Sequence, residues 1–293
     1  LTSLDISYNE LMGRSSYNDV TGVVAIVEAL QSKASVTKIL VDRNRLGDAG
    51  ATILCNALRE SKVSKVQELG LQNNDIGPDG AKAIAALCAA RPSLTELSIR
   101  GNFIGDVGKY AIGAAVGSSM RRLVSNRLDL RADATKLDLS NNGLDPGDAA
   151  LIAGGLRTFM ASVTKILVQG NRMGHEGTTI LCNALRESKV GVVQKLDLRG
   201  NGIGPDGANA IAALCTVTAS ITSLSLADNN LGDDGIEALL VGLKVCKSLA
   251  TLDLSNKYYY AKIGPKGAAA LASAIAAMSS VTSVRAAPET SSL

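Results

Sequence analysis

The feature that most limits what this chain can fold into is a unit of 28 residues, repeated along it with small variations. Residues 193–220, VVQKLDLRGNGIGPDGANAIAALCTVTA, state it most cleanly. An apolar-x-x-apolar-x-apolar run (Val193, Leu196, Leu198) leads to Asn201. Ile203 and the turn Gly204-Pro205-Asp206-Gly207 follow, then an Ala/Ile/Leu stretch from Ala208 to Leu214. Aligned on the apolar run, units start at Leu1, Val36, Val66, Leu94, Ala134, Val163, Val193, Ile221 and Leu249, with a partial start at Val281. Five places after the middle apolar residue stands Asn9, Asn44, Asn74, Asn102, Asn142, Asn171, Asn201 or Asn229; the ninth unit has Lys257 there. One such unit cannot bury its own apolar face, so the period predicts a stack in which neighbours wall each other in.

Each part of the unit has a physical role. The apolar-x-apolar pair has period two, as a strand buried on one face requires. Successive strands can pair in parallel, each linked to the next by a helix across the back. An Asn amide both donates and accepts, so stacked Asn residues can satisfy the backbone groups left open where strand becomes loop. Pro78, Pro205 and Pro265 suit a helical first turn, and Asp48, Asp106 and Asp233 suit a cap or the helix dipole.

The unit LxxLxLxxNxIGxxGAxAIAxxL resembles the 28–29-residue leucine-rich repeat of the ribonuclease-inhibitor type. Similar repeats occur in the sensor ends of NOD-like receptors and in Ran GTPase-activating proteins. The resemblance covers nearly the whole chain. It implies an α/β fold: a right-handed leucine-rich-repeat solenoid, or horseshoe, with a parallel concave sheet and convex helices, in about nine repeats of 28–30 residues. We expect residues 1–287 to form this solenoid and 288–293 a polar tail. The chain opens at Leu1 inside a repeat, so more chain or a neighbour is expected to cover Leu1, Leu4 and Ile6.

A second level of repetition lies above the unit. ASVTKIL at residues 34–40 recurs at 161–167, and TILCNALRESKV at 52–63 recurs at 179–190, both 127 residues later. A block of four units has been copied in tandem. The period breaks in three places. Extra residues near 12–19 include Arg14, Tyr17 and Asn18; residues 116–133 include Arg121, Arg122, Arg127 and Arg131; residues 257–262 read Lys-Tyr-Tyr-Tyr-Ala-Lys. Insertions in solenoids are expected in loops at the edge of the stack, often on the binding side.

Composition excludes several classes. Lys+Arg number 30 and Asp+Glu 27, a net charge of +3, too balanced to predict specific nucleic-acid binding. Cys55, Cys88, Cys182, Cys215 and Cys246 form no CxxC, and four of the five fall on the apolar helical stretches. They read as small buried hydrophobes in a reducing, intracellular and cytoplasmic setting. No apolar run is long enough for a transmembrane helix. His175, in the turn Gly174-His175-Glu176-Gly177 where sister units carry Asp48 or Asp206, is the single histidine and reads as a solvent-exposed turn residue. One histidine without paired cysteines builds no zinc site, and no phosphate-loop signature occurs. The chain is therefore read as no enzyme, without cofactor, metal or small-molecule substrate.

Binding is the class the pattern favours. Residues between the inward apolar positions project from the sheet: Lys38, Glu68, Glu96, Lys136, Lys165 and Lys195 in one column, Asp5, Asp138, Asp197 and Asp253 in a second, and Asp42, Gln72, Arg100, Ser140, Gln169 and Arg199 in a third. Candidate contact residues are Lys136, Asp138, Lys165, Lys195, Asp197, Arg199, Asp228, Asp253, Tyr258, Tyr259, Tyr260, Arg121 and Arg122. Tyrosine offers a large contact area with a hydrogen-bonding tip, which favours the triple-Tyr insertion as an interface. The expected function is a non-catalytic protein-binding scaffold within a larger assembly. Two alternatives stay open: a GTPase-activating protein acting through Arg43, Arg100 or Arg199, and the ligand-sensing repeats of a NOD-like receptor.

Overall fold

Three-residue strands form where the apolar alternation is strictest, and in almost every one the middle residue is the buried one. The computed structural model describes residues 1–13, 19–31, 35–188, 192–257 and 263–286. Two compact units result, one of Leu1–Asp133 with Ala150–Met160, the other of Ala134–Ala149 with Ala161–Leu293.

In the first unit, strands β1 (Ser3–Asp5), β2 (Lys38–Leu40), β3 (Glu68–Gly70), β4 (Glu96–Ser98), β5 (Arg122–Val124) and β6 (Asp129–Arg131) form one sheet in chain order. Helices α1 (Thr21–Gln31), α2 (Gly47–Glu60), α3 (Pro78–Ala90) and α4 (Gly105–Ala115) alternate with the first five strands. Register aligns Leu4, Ile39, Leu69, Leu97, Leu123 and Leu130 in a single row, and all but Leu4 are buried. The extra residues 116–133 are not the expected loop. β5 continues the parallel ladder from β4, and β6 turns back antiparallel onto β5. The reason is legible in the residues: Leu123, Leu128 and Leu130 are buried, while Arg122, Asp129 and Arg131 alternate with them toward solvent.

The second unit repeats the plan with β7 (Lys136–Asp138), β8 (Lys165–Leu167), β9 (Lys195–Asp197), β10 (Ser223–Ser225), β11 (Thr251–Asp253) and β12 (Ser283–Arg285), all parallel. Its helices are α6 (Gly174–Glu187), α7 (Gly204–Val217), α8 (Gly232–Leu243) and α9 (Pro265–Ile275); α5 (Pro146–Thr158) divides its residues between the two units. Each unit is an α/β solenoid segment.

The turn asparagines do the work foreseen for them where a strand precedes them in the sheet. Asn44, Asn74, Asn102, Asn171, Asn201 and Asn229 are buried. Asn74 shows the full pattern. Its Oδ1 accepts the Asn44 N–H at 2.8 Å, and its Nδ2 donates to the carbonyls of Val41 and Gln72 at 2.9 and 3.2 Å. Threonines at the strand starts tie the repeats a second time, as when Thr37 and Thr95 donate to the carbonyls of Thr2 and Gln67.

Helix capping is shared between repeats. Asp48 lies in the first turn of α2, but its Oδ1 accepts the N–H groups of Gly77 and Gly80 at 2.7 and 2.8 Å, at the start of α3. Asp233 of α8 likewise accepts the Gly264 N–H at 2.7 Å, ahead of α9. A carboxylate at a helix N-terminus satisfies open donors and meets the positive end of the dipole. All five cysteines are free and buried. Burial pushes the thiols of Cys88 and Cys182 up to about 12, so they stay protonated and inert.

Candidate protein-binding faces

On the strand face of the second unit, register places Lys136, Lys165 and Lys195 side by side, continued by Ser223, Thr251 and Ser283. Neighbouring strands stand about 4.8 Å apart, so like charges in one row repel unless something answers them. Lys136 is answered by Asp138 at 2.8 Å, and the same contact, with Ser140, holds the Asp138 carboxyl below its ordinary value. Lys165 and Lys195 are exposed and have no ion-pair partner among the described residues.

The neighbouring acidic column is less available than its spacing predicts. Asp197 is buried, with its carboxylate turned to the N–H of Arg199 at 3.2 Å. Asp253 accepts the N–H and hydroxyl of Ser255 at 3.0 and 2.7 Å and lies 3.7 Å from Arg199. Asp228 accepts the Lys257 N–H at 2.8 Å. Asp197 and Asp253 serve their own strand-to-turn joints, where a short carboxylate reaches the backbone N–H two residues on, while Asp228 bonds across to the next repeat. Asp197 is thus removed from the surface set. Tyr258, Tyr259 and Tyr260 lie outside the described residues.

On the first unit's strand face the corresponding row reads Ser3, Lys38, Glu68, Glu96, Arg122 and Arg131. Lys38 pairs with Glu68 at 2.8 Å. Arg122 makes a two-pronged contact with Asp129, Nε to one oxygen at 2.9 Å and Nη2 to the other at 3.0 Å. Arg131 adds a bond to the same carboxylate at 2.9 Å. Asp129 is held below the ordinary carboxylate range, first by Arg122 and then by Arg131. Arg121 is exposed, and its N–H donates to the Thr95 carbonyl at 2.7 Å, continuing the ladder.

The same face carries a hollow of about 190 Å³ lined by the charged side chains of Glu68, Glu96, Arg100 and Arg122 and by Leu40, Gly70 and Val124. Its residues were only partly legible. Glu68 and Glu96 fall in the outward column; beside them Gly70 is a buried strand glycine where other repeats carry Leu, Asp or Ser, and a Cβ there would meet Leu40 Cδ2 at 2.7 Å. A strand glycine is the available signal for such a close approach. The arginines considered for phosphate chemistry are placed differently: Arg43 stacks on the Tyr8 ring at 4.9 Å, and Arg199 faces Asp253. Among the described residues, no three His, Cys, Asp or Glu side chains cluster to hold a metal ion.

The leucine-rich repeat family matches at residues 64–85, 91–113, 192–212 and 219–240, each match a strand, its turn and the following helix. A 199-residue stretch is 29% identical to the ribonuclease inhibitor of Sus scrofa, covering 68% of this chain and 40% of that protein. The chain carries leucine-rich repeats of the ribonuclease-inhibitor type. A 173-residue stretch is 28% identical to NACHT, LRR and PYD domains-containing protein 3 of Homo sapiens, covering 59% of this chain and 15% of that one. A solved leucine-rich repeat-containing protein of Legionella pneumophila aligns over 97% of this chain and 82% of its own, at 20% identity and a TM-score of 0.34. The leucine-rich-repeat chain thus spans less than half the length of these curated relatives. No described helix is long and apolar enough to cross a membrane.

Proposed function

We propose that this leucine-rich-repeat chain is a non-catalytic scaffold that holds a protein partner on its strand faces, as part of a larger assembly in a reducing, intracellular compartment. The observation that carries the proposal is the pair Lys165 and Lys195. They lie in register on adjacent strands, both exposed and, among the described residues, both without an ion-pair partner. A fold gains nothing from holding like charges beside each other, whereas an acidic partner surface gains orientation and encounter rate from them. Lys136, Asp138, Arg199, Asp253 and Asp228 of the second unit join that pair in the proposed contact set, with Tyr258, Tyr259 and Tyr260; Arg121 and Arg122 of the first unit are proposed as contacts in their own right. The free, buried cysteines support the compartment.

The test is quantitative capture of partners from the native source, comparing the parent chain with Lys165→Glu/Lys195→Glu. The double reversal is expected to lower recovery of the principal partner by at least about tenfold. Unchanged recovery would place the contact elsewhere, on the helices or the turns. Adding Tyr258→Ser, Tyr259→Ser and Tyr260→Ser then measures the insertion's share.

A further inference from the structure

We propose that Asn142–Gly143, in the first turn of the second unit, is a self-modifying site whose conversion to isoaspartate breaks the joint between that unit's first two repeats. The proposal goes beyond the scaffold reading and needs no partner. The chain holds two Asn-Gly pairs, Asn142–Gly143 and Asn201–Gly202. Glycine carries no Cβ to shield its backbone nitrogen, so that nitrogen can reach the carbonyl carbon of the preceding asparagine side chain. It attacks Cγ, the Cγ–Nδ2 bond breaks, and the glycine N–H proton leaves with the side-chain nitrogen as ammonia. Water then opens the cyclic imide at either carbonyl. One opening gives aspartate; the other gives isoaspartate, whose main chain has gained the Cβ methylene. Water is the only co-reactant.

The structure sets the two pairs apart. Asn201 is only 2% exposed, and its Nδ2 donates to the carbonyls of Val168, Leu198 and Arg199 at 2.9, 3.0 and 3.2 Å. Swinging its Cγ onto Gly202 would break all three bonds at a place closed to water. Asn142 is exposed, because β7 begins its sheet and no earlier strand of that sheet covers the turn. Asn141 and Gly143 on either side of it are left-handed, with φ of 53° and 67°. Among the described residues no hydrogen bond holds the Gly143 N–H. The nucleophile and the water it needs are therefore both at hand in the folded chain.

The damage follows from where the extra methylene would go. Asn171 Oδ1 accepts the Asn142 N–H at 3.0 Å and the Leu144 N–H at 2.9 Å, so one oxygen brackets Gly143 from both sides. A main chain lengthened between residues 142 and 143 cannot keep both donors on that oxygen. Leu144 is fully buried, so the loss falls on the core and leaves a buried N–H unbonded. The same asparagine donates through Nδ2 to the Leu139 carbonyl at 2.9 Å, which ties the disturbed turn to the end of β7.

The experiment follows the full chain at neutral pH, folded and urea-unfolded, by tryptic digestion and tandem mass spectrometry. Deamidation adds about one dalton to fragment 137–157, which carries Asn142, or to fragment 200–244, which carries Asn201. In the folded chain Asn142 is expected to convert at least about tenfold faster than Asn201, whose reaction waits on local opening. In urea the two are expected to convert at similar rates. Asn142→Gln is expected to stop the gain at that site, because glutamine must close a larger and slower-forming ring. Amide exchange at Leu144 reads the consequence. Protection is expected to fall in the deamidated chain in proportion to its isoaspartate content, measured by electron-transfer fragmentation. It is expected to hold in Asn142→Asp, which brings the charge without the added methylene. Equal rates at Asn142 and Asn201 in the folded chain, or conversion of Asn142 only after unfolding, would overturn the site. Unchanged Leu144 protection in the isoaspartate chain would overturn the broken joint.

Discussion

The two copies of the four-repeat block share their strands, their buried leucines and their cysteine positions, yet they join their repeats differently. In the first, Gly77 is extended ahead of α3 (φ −94°, ψ −165°), and its N–H reaches back to Asp48 of the preceding repeat at 2.7 Å. In the second, His175 occupies the position of Asp48, Ile203 is already helical (φ −64°, ψ −42°), and the Gly204 N–H reaches forward to the Asn229 carbonyl at 3.1 Å. The asparagine turns differ as well. Asn74 Oδ1 accepts the Asn44 N–H, whereas Oδ1 of its copy Asn201 is buried without a partner. The apolar spacing dictates the repeat, and the side chains at its joints are free to diverge. Stability should therefore differ between the copies at the joints more than in the core.

The largest effect that would sharpen this contrast is expected at the asparagines. Asn74→Ala removes both an acceptor and a donor, leaving the Asn44 N–H and the Val41 carbonyl without that partner. Leaving buried groups unbonded costs about 3 kcal/mol in such a case. Asn201→Ala removes donors to the Val168, Leu198 and Arg199 carbonyls but no acceptor in use. Its cost is expected to be smaller by about 1 kcal/mol, the share of one buried N–H. Urea unfolding followed by far-UV circular dichroism measures both. Equal costs, or a larger cost at Asn201, would break the contrast.

How much of this was legible before the structure follows from range in sequence. Strand, turn and helix within a repeat are set by neighbours a few residues apart, so the Leu196, Leu198, Asn201 pattern marked them. The asparagine rule falters at Asn9 and Asn142, which are exposed. Both follow the first strand of their sheet, so neither has a preceding strand in that sheet to supply carbonyls. Asn9 donates to Ile6 and Ser7 of its own turn instead. The hairpin of β5 and β6 was visible as alternation around Leu128 and Leu130 but was read as a loop because its length broke the period. Occupancy of charges was not legible. Whether Glu96 or Glu68 is free depends on where Arg122 and Lys38 point, and the partner of Arg122 arrives only when the chain doubles back.

A smaller effect is expected at the helix starts. Asp48→Ala leaves the Gly77 and Gly80 N–H groups without their shared acceptor and is expected to cost about 1 kcal/mol, the usual value for a lost cap. His175→Ala in the copy removes an exposed side chain at the position of Asp48, ahead of a helix whose Gly204 N–H already bonds the Asn229 carbonyl, and should stay within about 0.5 kcal/mol of the parent. Amide hydrogen exchange in the first turns of α3 and α7 localises the effect: protection should fall at Gly80 in the first variant and hold at Gly207 in the second. A loss at Gly207 equal to that at Gly80 would mean that His175 caps after all.

The smallest effect concerns the two depressed aspartates of the strand faces, Asp129 with its two arginines and Asp138 with one lysine. Both folded values lie below the ordinary carboxylate range. The stability each contributes is thus present above that range and is lost as pH falls through the folded value. The side chains remain 39% and 46% exposed, so solvent screening keeps either contribution to roughly a few tenths of a kcal/mol. The contrast lies in salt. A planar guanidinium holding both oxygens of Asp129 is less easily displaced by ions than a single ammonium on Asp138. Side-chain carboxyl titration by NMR at low and high ionic strength should therefore move the Asp138 midpoint back toward its ordinary value more than that of Asp129. Equal movement would show that the Arg122 pair is no more than another surface ion pair, and the hairpin would then owe its place to Leu123, Leu128 and Leu130 alone.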